Sequence, residues 1–134
     1  MAALTQGRDT PERSGLVRAV KIDANVKIHQ GALVVLASGF AKPGATATGL
    51  VAIGRAEESV DNTGGAQGAK DVRVRPGIFR FDNSASGDAI TAAEIGADCY
   101  VVDDHSVAKT SGTNTRSVAG KVFDVDALGV WVKF

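Results

Sequence analysis

Cysteine is almost absent from this chain of 134 residues: Cys99 stands alone, so no internal disulfide can staple the fold. Aromatic residues are scarce, at five Phe, one Tyr and one Trp, and proline occurs three times. Charge of one sign is lacking as well. Fifteen Lys and Arg balance fifteen Asp and Glu, for a net charge of zero. That balance argues against nucleic-acid binding, which draws on a basic excess to neutralise phosphates, and it removes the polybasic route to a membrane surface. Long hydrophobic runs are missing too. The stretch Ala32 to Ala37 is far shorter than the roughly 20 residues of a spanning helix. Residues 1–15 carry Arg8, Asp9, Glu12 and Arg13 and no apolar core segment, so they do not read as a secretory signal.

What is plentiful is glycine, at 16 residues, together with valine, alanine and threonine. Frequent Gly beside frequent Val predicts short strands joined by tight turns. The length suits a single domain with a real core. Residues 1–15 are polar and aperiodic and read as a flexible N-terminal arm; residues 16–134 read as one β domain. Strands are expected at Val17 to Ile22, around Val26 and Ile28, at Ala32 to Ala37, and at Leu50 to Ile53, ending at Gly54. Residues 61–70, with tandem glycines and no large apolar side chain, form the most loop-like internal stretch.

The strongest strand signal follows. Val72 and Val74 alternate with Asp71, Arg73 and Arg75; beyond Pro76-Gly77, Phe79 and Phe81 alternate with Arg80 and Asp82. The apolar parity switches across Pro76-Gly77, which demands a turn or a bulge there, and Pro then Gly suits a type II turn. Thr91-Ala92-Ala93-Glu94 fits a capping box, predicting one helical turn near 91–95. Further strands are expected at Cys99 to Val102, from Val107, at Val118 to Val125, and at Leu128 to Phe134, the last paired within a sheet. Nowhere does the apolar spacing of an amphipathic helix persist. The expected fold is all-β, a small hairpin-rich barrel or clip. An internal echo accompanies it: Gly31 precedes one apolar strand and Gly54 follows another, as Gly96 and Gly120 do later. Two similar half-units would produce this spacing, and so would chance in a glycine-rich chain.

Chemistry-bearing residues are few. Asp103-Asp104-His105 holds metal-ligand and acid–base types, yet neighbours at a strand end point apart, and a polar β-turn accounts for them. Cys99 lies in an apolar strand next to Tyr100, as a buried structural cysteine would, whereas a nucleophilic one needs a nearby base or positive charge. The glycines match neither a phosphate-loop nor a dinucleotide spacing. No catalytic residue, cofactor or metal ligand is therefore assigned. Arg73, Arg75 and Arg80 form a solvated strand face or meet an acidic partner. Trp131 is a candidate interface anchor, and Leu4, Arg8 and Arg13 are candidate contacts of the arm with a partner's edge strand.

The run Val72-Arg-Val-Arg-Pro-Gly-Ile-Phe-Arg-Phe81, the segment from Ala89 through Ile-Thr-Ala-Ala-Glu-Ile-Gly-Ala-Asp-Cys-Tyr-Val-Val-Asp to Asp104, and then Val107, Thr110 to Arg116 and Val118-Ala-Gly-Lys-Val122 follow a familiar order. This order resembles the capsid cement proteins of Mu-like tailed phages and prophages, a family related in fold to the lambda-type head decoration protein. The resemblance covers residues 16–134. It implies a β-tulip or β-clip domain, assembled as a homotrimer on the outer surface of the virion, made in the bacterial cytoplasm, and clamping neighbouring copies of the major capsid protein. It implies arms that order on the shell, and it transfers no catalytic residue. Two other readings stand beside it: a β-rich tail or baseplate component, and a trimeric dUTPase-like enzyme. The latter wants an Asp adjoining a catalytic Tyr, and Tyr100 has none directly beside it.

Overall fold

The computed structural model describes residues 2–13 and 15–134; the expected arm thus includes two residues, Met1 and Ser14, outside the described ones. Residues 2–13 are exposed and carry no strand or helix. The strands are β1 (Arg18–Lys21), β2 (Lys27–Ile28), β3 (Leu33–Ala37), β4 (Phe40–Pro43), β5 (Val51–Ala56), β6 (Val60–Asp61), β7 (Asp71–Arg75), β8 (Ile78–Phe81), β9 (Asp98–Val101), β10 (Val107–Ala108), β11 (Val118–Asp126) and β12 (Gly129–Lys133). The fold is all-β, as the sequence predicts. The expected helical turn is a single 3-10 turn at Ala92–Glu94, and its capping box is complete: the Thr91 hydroxyl accepts from Ala93 N and Glu94 Oε1 accepts from Thr91 N. A second short turn lies at Ser86–Asp88.

The chain is built twice from one unit. The first sheet has the order β1-β7-β5-β3-β4, and the second, read in the same sense, β8-β12-β11-β9-β10. Taken in chain order, the five strands of one sheet map one to one onto the other, and every pairing is antiparallel. A two-stranded β2-β6 ribbon is added to the first half.

The glycine echo marks equivalent points of the two units. Gly31 and Gly96 have φ of 88° and 90°, which a glycine adopts without the Cβ clash of other residues. Gly31 N donates to Ala56 O and Ala56 N to Ala32 O; Gly96 N donates to Val122 O and Val122 N to Ala97 O. Register breaks put an extra residue in β5 at Ile53 and in β11 at Ala119, each directly before Gly54 or Gly120. A Cβ on Gly54 would run into the carbonyl of Arg75, and one on Gly120 into that of Lys133. The central strand of each sheet therefore needs a bulge and a glycine at the same place.

The expected barrel does not close. In each sheet the two end strands meet at one isolated parallel bridge, Ile22 with Ala41 in the first and Asp82 with Ser106 in the second. The strands on that seam are short, β10 only two residues long, and cannot sustain the ladder that closure needs.

The core has two parts. Ile22, Ile28, Val34, Ala41, Ile53, Val72 and Val74 fill the first half. Phe81, Ile90, Cys99, Val101, Val107, Val122, Val130 and Val132 fill the second, joined by Leu33 and Val35 from β3. β3 is thus buried on both faces, which is why Ala32 to Ala37 reads as an unbroken apolar run. The parity switch at Pro76-Gly77 has the same origin. Val72 and Val74 point into the first core, and Phe81 into the second, with Phe79 packed beside it, so the chain crosses between sheets there. Gly77 has φ of 158°, not the roughly +80° of a type II turn. Phe134 N donates to Gly77 O, and the Phe134 ring packs on Phe79 and Phe81, tying down the end of β12. The 61–70 stretch is well anchored despite its composition. Asn62 is buried and its Nδ2 donates to the carbonyls of Asp23 and Ala66.

Candidate functional site

β12 alternates strictly. Val130 and Val132 are buried, and Trp131 faces outward, half-buried. Its direct cross-strand partner is Arg80 on β8, and the Arg80 guanidinium lies 5.6 Å from the indole centroid. The indole Nε1 donates to Asp126 Oδ2 at 2.9 Å, while Asp126 Oδ1 accepts from the backbone of Leu128 and Gly129. The bond from the indole, followed by those from the turn, holds the Asp126 carboxyl below the usual carboxylate range. The indole ring is fixed in place before any partner arrives.

Around it opens a groove of about 420 Å³, lined by Ile78, Phe79, Arg80, Phe81 and Trp131 from the second half and by Gly31 and Arg55 from the first. β8 is the end strand of its sheet, so the groove adjoins an open strand edge. The other arginines of the sequence pattern are used up within the chain. Arg73 pairs with Glu58 at 3.0 Å, and Arg75 and Arg55 pair with Glu57 at 2.7 and 3.1 Å. Arg55 also lies over the Phe79 ring. Among the described residues Arg80 has no carboxylate at ion-pair distance, the nearby Asp126 being committed to N–H donors.

Asp103, Asp104 and His105 form the expected turn between β9 and β10, where Asp103 Oδ1 accepts from His105 N. Each offers a ligand atom, all within 4.8 Å of one another, a donor set of the kind divalent cations use. The structure adds what the sequence did not: His29 lines the same small cavity as Asp104 and His105. His105 Nδ1 is 3.0 Å from Asp82 Oδ2. That bond, then the charge of Asp103, pushes the imidazole pKa up. Cys99 is buried in the second core, and burial pushes its thiol up to about 11, so it stays protonated.

Leu4, Arg8 and Arg13 are exposed, and none of them lines the Trp131 groove. Arg80, one of three arginines the sequence offers as a solvated face or a contact for an acidic partner, lines that groove, whereas Asp126, which holds its tryptophan, carries no signal in the sequence. No helix among the described residues is long and apolar enough to cross a membrane. In comparisons with known proteins, no family model, curated protein or solved structure matches the chain.

Proposed function

We propose that the chain is a structural binding module of a tailed-phage head: a decoration, or cement, protein that sits as a homotrimer on the outside of the shell and clamps neighbouring major capsid proteins. The observation that carries this reading is the fixed, half-buried Trp131 beside Arg80, which has no carboxylate partner among the described residues, at the end strand of a sheet. Trp and Arg are the residues most enriched at binding hot spots, and a pre-ordered ring loses little entropy on docking. The exposed segment 2–13, with Leu4, Arg8 and Arg13, supplies a second contact by strand addition to a capsid edge. The remaining reactive types have structural occupations that fit a static module: Cys99 packs in the core and His105 ties a turn to Asp82.

The test is occupancy on heads of the phage that encodes the chain. Deleting residues 2–14 leaves the domain folded and lowers its occupancy on purified heads; Trp131→Ala does the same. Unchanged occupancy in both variants contradicts the reading.

A further inference from the structure

We infer that the open edge of β8, with its groove, accepts an extended segment of a partner protein that places an acidic side chain opposite Arg80 between apolar, β-branched neighbours. The inference rests on the binding-module reading and adds the kind of segment that is bound.

The backbone comes first. β8 pairs with β12 on one side, Ile78 to Phe81 against Lys133 to Val130; on the other side Asp82, just beyond the strand, bonds to His105 and Val107, and among the described residues no strand pairs with Ile78 to Phe81 there. Such an edge presents unpaired N–H and C=O groups in the spacing of a strand. Natural edges are blunted with charges, proline or bulges, but β8 carries Ile78, Phe79 and Phe81 with a single charge, Arg80, and no bulge against β12. Ile78 is 38% exposed. Gly31, on the far wall, has open space where a Cβ would stand, so a main chain can approach closely there.

Charge fixes the kind of segment. Arg55, Arg73 and Arg75 spend their guanidinium groups on Glu57 and Glu58, whereas Arg80 lies over the Trp131 ring and pairs with no carboxylate among the described residues. A guanidinium 5.6 Å from the indole centroid can offer its fork to a carboxylate, and a partly desolvated pair of that kind is a strong charge-assisted contact. The residues next to that acid fall on the face of Phe79 and Phe81, and those two positions away on the face of Ile78 and Trp131. Strand addition supplies affinity through the main chain and specificity through alternate side chains.

The test is selection of short random peptides displayed on yeast against the purified chain, with counter-selection on Arg80→Gln. The expected consensus has Glu or Asp flanked by Val, Ile or Thr. A synthetic peptide of that consensus then shifts Trp131 emission, and Arg80→Gln weakens its binding by about tenfold or more, with Arg80→Lys falling short of wild type. No enrichment, a consensus without an acid, or binding indifferent to Arg80→Gln overturns the inference. A peptide of residues 2–13 of this chain, tested alongside, must bind more weakly than the consensus. Tighter binding overturns a foreign partner in favour of a second copy. No heads are present, so failure here and failure of head occupancy are separate results.

Discussion

The indole N–H of Trp131 donates to Asp126 five residues earlier, and the same carboxylate accepts the backbone N–H groups of Leu128 and Gly129. One group thereby shapes the β11–β12 turn and aims the tryptophan at the groove.

Asp126→Asn keeps an acceptor for the turn but can present Nδ2, not an acceptor, to the indole. Trp131 emission then shifts to the red and its anisotropy falls, while far-UV circular dichroism is unchanged. Since the folded carboxyl titrates below its usual range, its contribution is present above the unfolded value and is lost only as pH falls through the folded one. Wild-type emission is therefore constant from neutral to mildly acidic pH. An indole that does not respond to Asp126→Asn means that the bond does not hold it.

The duplicated unit predicts a ranked set of glycine effects. Gly54→Ala and Gly120→Ala each drive a Cβ into a backbone carbonyl that cannot swing away, and each destabilises by about 2 kcal/mol or more. Gly31→Ala meets open space and bears only the left-handed backbone strain, about 1 kcal/mol. Urea denaturation of the three variants orders them. Unequal losses at Gly54 and Gly120 contradict the equivalence of the two bulges, and a loss at Gly31 as large as theirs contradicts the ranking.

Much of this fold was legible from alternation alone. The β7 and β8 patterns and the parity switch between them follow from side-chain period, and the switch proves to be the passage from one core to the other. The strand at Leu50 was expected to stop at Gly54, yet β5 runs through it to Ala56, because that glycine serves a bulge and a close neighbour. β4 was missed: Phe-Ala-Lys-Pro has no alternation, and its proline is tolerated only because the strand ends its sheet. Of the groove, Trp131 was readable by residue type. Its pairing with Arg80 depends on the register of β12 against β8, and the approach of His29 to His105 on two halves meeting, neither of which leaves a local trace.

The two seams predict different responses to pH. Ile22 and Ala41 are buried apolar residues, whereas Asp82 bonds to the imidazole of His105. His105 is raised by Asp82 first, then by Asp103 and Asp104. A raised histidine contributes stability that is full below its unfolded value, about 6.5, and is lost as pH rises through the folded one. Between about pH 5 and about pH 8, wild type loses more urea stability than Asp82→Asn. The pair is largely exposed, so solvent screens it and the difference is small. A larger loss in Asp82→Asn than in wild type reverses the sign and rules out the pair as the cause.

Attachment to the outside of a phage head is decided by cryo-EM of heads assembled with and without the chain. The account predicts extra density on the outer surface, grouped as trimers with Trp131 buried at a contact, and its loss when the chain is deleted. Heads identical in both preparations, or density confined to tail or baseplate, would contradict it.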